Sequence, residues 1–171
     1  SAYDRSGNNR HAIGQATHNA DIAALQLEAE AQLSWSLGDE ANEADSYTVF
    51  MVHKPTAVGS LLVVDDDTRL ELTGTNHLID TRGADNPDDD LDARPMVNID
   101  QKGIISAHYS SDAIRYTVNG SVYTQAANGS NYALPETINI TGDVYEMMML
   151  SGDLSRDNER AILQYLSNRC G

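Results

Sequence analysis

Paired carboxylates come first, because cleavage of a glycosidic bond needs two of them, roughly 5 to 9 Å apart. Residues two apart on a strand share a face, so an E-x-D-x-E array would present such a pair. The sequence has no such array. Glu43 and Asp45 are two apart but precede a strand in a polar turn. Asp143 and Glu146 are three apart and are expected to point to opposite faces. Elimination on a polysaccharide would draw instead on Tyr, His, Arg and Gln side chains. His108, Tyr109, Arg115 and Tyr116 fall where neighbouring strands could gather them, with ordinary sandwich side chains as the competing reading. There is no G-x-S-x-G elbow and no Gly-rich phosphate loop. Cys170, the single cysteine, excludes an intrachain disulfide and is poorly placed as a nucleophile near the tail. His11, His18, His53, His77 and His108 lack the i, i+4 spacing of a helical metal site.

Two acidic clusters and a set of tyrosines are the candidate binding groups. Asp65-Asp66-Asp67 reads as a turn. The denser Asp85-Asn86-Pro87-Asp88-Asp89-Asp90-Leu91-Asp92 could offer several oxygens to calcium, which takes roughly six to eight. Asp85, Asp88 and Asp90 are the candidate metal ligands, against the alternative of a solvated acidic loop; the spacing is not that of an EF-hand. Sugar binding needs an aromatic platform beside polar groups. Trp35 and Tyr116 sit on apolar faces of their patterns and read as core. Tyr109, Tyr123 and Tyr132 lie near strand ends or loops and are the candidate ligand-binding residues.

The elements that must position these groups read as strands. Leu25 to Ser36 alternates apolar and polar without a break, although its Ala, Glu, Gln and Leu content also suits a helix; the alternation predicts strands. Tyr47 to His53 is apolar on both faces and predicts a central strand. Short strands are predicted at Leu61–Val64, Arg69–Thr73, Val97–Ile99, Ile104–Tyr109 and Ile138–Ile140. A longer one at Val144–Leu150 carries Tyr145, Met147 and Met149 on one face. Asp80 to Arg94, with Gly83, Pro87 and its aspartates, predicts a solvated loop. Asn119-Gly120 between alternating runs predicts a type I′ hairpin, since both central residues need positive φ. Ser155 predicts a helix N-cap, with Asp157 and Glu159 in the first turn and an apolar stripe of Ile162, Tyr165 and Leu166. Many short strands without crossover helices mean an antiparallel sandwich or barrel.

Bulk properties narrow the function classes. The 171 residues fit one domain, 1–171, able to bury a sizeable core. The net charge of −15, from 11 Lys+Arg against 26 Asp+Glu, repels phosphate backbones and anionic lipid. No run reaches the ~18 apolar residues of a membrane span. The chain opens at Ser1 on turn-like sequence without a signal-peptide pattern, and reads as a processed or excised piece of something longer.

Three ordered segments resemble the concanavalin A-like lectin/glucanase superfamily, in particular the laminin G-like domains of bacterial and phage surface proteins. Asp4-Arg5-Ser6-Gly7-Asn8-Asn9-Arg10-His11-Ala12 is similar to their opening motif. Ile114-Arg115-Tyr116-Thr117-Val118-Asn119-Gly120-Ser121-Val122 is similar to a characteristic hairpin. Gly142-Asp143-Val144-Tyr145-Glu146-Met147, then Leu154-Ser155, Ala161-Ile162 and Tyr165-Leu166, resembles their ending with its terminal helix. Asn158 departs from the glutamate usual there, and the strand that usually precedes the opening motif has no counterpart. The resemblance implies an all-β fold: a two-sheet antiparallel jelly-roll sandwich, concanavalin A-like, with a short C-terminal helix and lacking its first strand. It raises the expectation of calcium at the rim. The fold alone implies no function. The expected role is a non-catalytic surface module, carbohydrate-binding or adhesive. The alternative is a structural or decoration module of a phage virion or cell-surface assembly. The expected partner is a glycan or a neighbouring surface or virion protein, with a homo-oligomer open, no nucleic acid and no membrane insertion, in an extracellular, cell-surface or virion-surface setting.

Overall fold

Period-two alternation does build strands through about half of the described residues. The computed structural model describes residues 13–29, 31–37, 43–83, 93–129 and 131–170. One sheet has seven strands in the order β12 (Ser121–Ala126), β11 (Ala113–Val118), β10 (Gly103–Tyr109), β6 (Tyr47–Pro55), β15 (Gly142–Ser151), β3 (Ala24–Leu27) and β2 (Thr17–Asn19). The other has six: β1 (Ile13–Gly14), β4 (Leu33–Ser34), β14 (Thr137–Ile138), β7 (Gly59–Val63), β8 (Arg69–Leu72) and β9 (Leu78–Asp80). β5 (Glu43–Ala44) and β13 (Tyr132–Ala133) form a separate small ribbon. Every strand pair recorded is antiparallel.

The two sheets enclose one core. Tyr47, Val49 and Met51 from β6 and Ile105, Ala107 and Tyr109 from β10 meet Leu61 and Leu62 from β7 and Leu70, Leu72 and Leu78 from β8 and β9. Burying a side chain of this size contributes about 1.5–3 kcal/mol, so this layer dominates stability. β6 is central, as its apolar residues on both faces predict. Its other face packs Phe50 and Val52 against α1 (Arg156–Cys170), forming a second, smaller cluster around Leu166. The Ser155 cap forms as expected, its Oγ accepting from the Asn158 amide at 3.2 Å. Tyr165, expected in the apolar stripe, is 49% exposed; Leu163 packs in its place.

Several expectations need correction. The alternation from Leu25 to Ser36 does form strands, β3 and β4, but they lie in different sheets rather than presenting one continuous face. The chain turns at Glu28, whose carbonyl accepts from the Ala31 amide at 3.0 Å, and crosses from β3 to β4. Val97–Ile99 is not a strand; Val97 is buried there from a loop, beside a lone bridge between His77 and Met96. The register of β15 shifts between Val144 and Glu146, and this bulge turns Tyr145 toward the helix cluster while Met147 and Met149 face the inter-sheet core. The same bulge sets Asp143 opposite Lys54 and Glu146 opposite Val52, so the two carboxylates share a face despite their odd spacing. The segment from Asp80 to Arg94 is not solvated throughout: Asp80 and Arg94 are buried at its ends. β15 begins at Gly142, with φ +137 and a backbone that would bring a Cβ within 2.2 Å of the Lys54 carbonyl oxygen; only glycine fits there.

Candidate functional site

The outer face of the seven-stranded sheet carries a polar ladder. Thr48 of β6 pairs with His108 of β10, His108 with Arg115 of β11, and Ser106 with Thr117, so all five side chains project together away from the inter-sheet core. The first turn of α1 lays Glu159 over them. Its carboxylate, fully buried, accepts from Ser106 Oγ at 3.0 Å, Thr117 Oγ1 at 3.1 Å and Arg115 Nε at 2.9 Å, with Arg115 Nη2 close beside it. Arg156 Nη1 stands 3.1 Å away. Burial pushes the Glu159 carboxyl up, but the Arg115 hydrogen bonds and charge outweigh it and hold the group below its ordinary range.

His108 beside this pair bonds on both nitrogens: Nδ1 to Thr48 Oγ1 at 2.7 Å and Nε2 to Asp153 Oδ1 at 3.0 Å. A carboxylate only accepts, so Nε2 donates and Nδ1 accepts from the Thr48 hydroxyl. Burial, followed by the Arg115 charge, pushes the imidazole pKa down. The order hydroxyl, imidazole, carboxylate is that of a nucleophilic triad, but Thr48 is fully buried while the Asp153 carboxylate is 77% exposed. The hydroxyl that would attack is the member a substrate cannot reach. The gathering of His108, Tyr109, Arg115 and Tyr116 is also split by strand alternation. His108 and Arg115 lie under α1, whereas Tyr109 and Tyr116 lie in the inter-sheet core.

On the core side the tyrosines build a box around one guanidinium. Tyr47 and Tyr109 stack with centroids 4.3 Å apart, and Tyr132 meets Tyr109 edge-on at 5.3 Å. Arg82 lies 4.8 Å from the Tyr109 centroid and 5.4 Å from that of Tyr132. It donates to both oxygens of Asp80, at 2.8 and 2.9 Å, to the Ala133 carbonyl at 2.7 Å and to Tyr47 Oη at 2.8 Å. Tyr109 donates to Asp80 Oδ2 at 2.7 Å, and Tyr116 donates to Gln125 Oε1 at 2.8 Å. Burial pushes the Tyr47 hydroxyl up to about 12. This network is satisfied from within and ties the end of β9 to the seven-stranded sheet.

The expected ligand platform is therefore corrected. Tyr109 and Tyr132 are 1% and 2% exposed and belong to the core, because their rings complete the Arg82 box. Tyr123 is half-buried, stacked on Tyr116 with centroids 6.4 Å apart, and the Arg94 guanidinium lies 4.5 Å from its ring centroid. Trp35 packs partly buried against the core, as expected. Asp85, Asp88 and Asp90, the expected calcium ligands, lie outside the described residues; among the described residues no three metal-ligating side chains converge. Asp65 caps its own turn, its Oδ1 accepting from the amides of Asp67 at 2.9 Å and Thr68 at 2.8 Å. Glu43 accepts from Asn131 across the small ribbon, and Glu146 pairs with Arg169 at 3.0 Å.

The sequence carried faint signals for the groups it did not single out. Glu159 sits three and seven residues before Ile162 and Leu166, inside the apolar stripe, where a carboxylate needs a buried partner. Asp80 ends the apolar run Leu78-Ile79, so its burial follows from its strand.

One end of the sandwich is open in chemical terms. A small cavity of about 10 Å³ is lined by His53, Asn98, Gln101, Lys102, Asn119 and the apolar Val97, Ile105 and Val118. A shallow groove of about 320 Å³ shares Lys102, Gly103, Ile104 and Asn119 with it and continues to Ser167 and Cys170 of α1. The Asn119-Gly120 turn forms as expected, with φ of 47 and 90, and places the Asn119 side chain here, its Oδ1 accepting from the Ile104 amide at 2.9 Å. Lys102 Nζ lies 4.1 Å from the Tyr145 ring centroid.

These features define a two-sheet antiparallel jelly-roll sandwich, with one helix among the described residues, C-terminal and laid on one sheet. Solved structures share it. Domain 4 of AbnA, a GH43 extracellular arabinanase from Geobacillus stearothermophilus, in complex with arabinotriose, matches with a TM-score of 0.60 and 13% identity, over 92% of this chain and 84% of that one. The carbohydrate-binding module CBM66 from Bacillus subtilis matches with a TM-score of 0.51 and 8% identity, over 81% and 92%. The alginate lyase AlgAT5, from polysaccharide lyase family 7, matches with a TM-score of 0.51 and 14% identity, over 88% and 85%. At these identities the likeness is one of fold. No family model matches the sequence, and no curated protein does.

Proposed function

We propose that this chain is a non-catalytic carbohydrate-binding module of the laminin G-like kind, working outside the cell. The observation that carries the reading is the fate of the polar ladder. Ser106, Thr117 and Arg115 of the ladder are committed to Glu159 of α1, Tyr47 and Tyr109 to the Arg82–Asp80 network, and the one imidazole beside a hydroxyl and a carboxylate holds its hydroxyl fully buried. A sandwich that engages these groups internally supports a binding role over a catalytic one. The named neighbours of similar extent support the ligand class, since one is a carbohydrate-binding module and another is held with arabinotriose.

The test is affinity electrophoresis through gels containing arabinan or alginate, with calcium and with a chelator. Retardation in at least one polysaccharide without release of reducing sugar is expected. Migration unchanged in every gel removes the binding reading, and sugar release abolished by His108→Ala removes the non-catalytic one. Retardation that needs calcium and is lost in Asp85→Asn, Asp88→Asn and Asp90→Asn variants is the outcome expected if those side chains hold the ion.

A further inference from the structure

His53 is the buried polar group that neither the ladder nor the box uses. It faces inward from β6, opposite Gly103 on β10 and Val144 on β15, and is fully buried. Its Nδ1 lies 3.4 Å from the Gly103 carbonyl oxygen. A carbonyl only accepts, so Nδ1 carries the proton and Nε2 presents a lone pair. No described residue places a polar group within reach of Nε2. The cavity that His53 lines has room for one oxygen-sized group. Its rim is made of the exposed side chains Asn98, Gln101, Lys102 and Asn119, three amides and an ammonium that can bond further hydroxyls. Lys102 at that rim disfavours a cation, and no three metal-ligating groups converge among the described residues. A neutral O–H donor fits every one of these features.

We propose that His53 Nε2 is the acceptor of a hydroxyl-binding subsite at this end of the sandwich, which takes one O–H of a polyhydroxy ligand while Asn98, Gln101 and Lys102 hold its neighbours. The ligand class rests on the carbohydrate reading; the site itself does not. Burial that keeps the ring neutral down to a pKa of about 4 agrees with a lone pair held ready as acceptor.

The experiment is nitrogen-edited NMR of the full chain, following the His53 ring nitrogens and the backbone amides during titration with glycerol and, separately, with arabinotriose. A bare Nε2 that shifts saturably with either probe, together with the Gly103 and Asn119 amides, is expected. Gln101→Ala and Lys102→Ala, both at exposed positions, should weaken the response severalfold, and His53→Phe by about tenfold or more, the worth of one well-formed hydrogen bond. A proton found on Nε2, shifts that never saturate, or a cross-peak to a resident water that both probes leave unchanged would each overturn the subsite. Retardation in polysaccharide gels that survives in His53→Phe and Gln101→Ala overturns it while leaving the carbohydrate reading in place. Saturable glycerol binding without retardation in any gel sustains it and removes that reading.

Discussion

Replacing Glu159 by Gln keeps the shape of the side chain and removes its charge. In the native chain two hydroxyls and Arg115 bond this carboxylate, with Arg156 also in range, and none of its surface meets water. Gln can still accept from Ser106 and Thr117, so the loss falls on the arginine side. Removing one partner of a buried pair costs about 3–5 kcal/mol. Arg115 retains 18% of its side-chain exposure and can recover some hydration, which places the cost near the lower end, about 3 kcal/mol. For a chain of this length that is roughly a 6–12 °C fall in Tm. Urea unfolding at pH 7 measures it directly, and a cycle with Arg115→Met isolates the pair, whose effects should be strongly non-additive. The stabilisation also has a pH signature. The folded carboxyl titrates below its ordinary 4.5, so the contribution is complete above that value and is lost as acid carries the protein down through the folded pKa; the Gln variant lacks this acid limb. A Glu159→Gln loss under about 1 kcal/mol, or additive single effects, would refute the claim that this pair clamps α1 to the sheet.

Three further outcomes follow from the interior. His53 titrates at about 4 in the folded chain against an ordinary 6.5, so the unfolded chain takes up a proton first and stability falls as pH drops from 6.5 to 4. That difference is worth about 3 kcal/mol in urea midpoints, a slope that His53→Phe should lose and whose absence in the native chain would contradict the burial. Arg82→Met strands the fully buried Asp80 carboxylate and should cost about 3–5 kcal/mol by chemical denaturation; a loss under about 1 kcal/mol would mean the tyrosines alone hold the box. Gly142→Ala forces a Cβ against the Lys54 carbonyl at positive φ and should destabilise by at least about 2 kcal/mol, with a Tm within a degree or so of native counting against the strand start as drawn.

Strand existence was legible in the sequence wherever burial falls on one side. The Asn119-Gly120 hairpin, the central β6 and the Ser155-capped helix follow from period, turn chemistry and capping alone. Assignment of faces was less legible, because a single bulge at Tyr145 reverses the alternation of β15 and a crossover after Leu27 preserves it across two sheets. The tyrosines misled for a related reason. Tyr109 ends β10 and Tyr132 opens β13, where solvent is the ordinary neighbour, yet Arg82 reaches in from another segment and makes their burial favourable. No local pattern announces a partner that far along the chain. The His53 acceptor was illegible too, since an imidazole at the end of an apolar strand looks the same whether or not its second nitrogen is satisfied.

If the chain takes a glycan as proposed, charge decides which class it can take. The chain carries −15, and Arg69, Arg82, Arg115, Arg156 and Arg169 are each within 4.0 Å of an aspartate or glutamate oxygen. Those five arginines are already engaged, and the net field opposes the approach of a carboxylated polymer. Neutral, hydroxyl-rich chains meet no such barrier, and the end of the sandwich meets them with amides, the single Lys102 ammonium and a neutral imidazole. Arabinan should therefore retard the chain more than alginate does. The difference should narrow as added salt screens the field, to a Debye length of about 3 Å at 1 M. Stronger retardation in alginate at low salt would mean that basic side chains held in ion pairs here are released to the ligand, and would move the site from the His53 end to the Arg115 ladder.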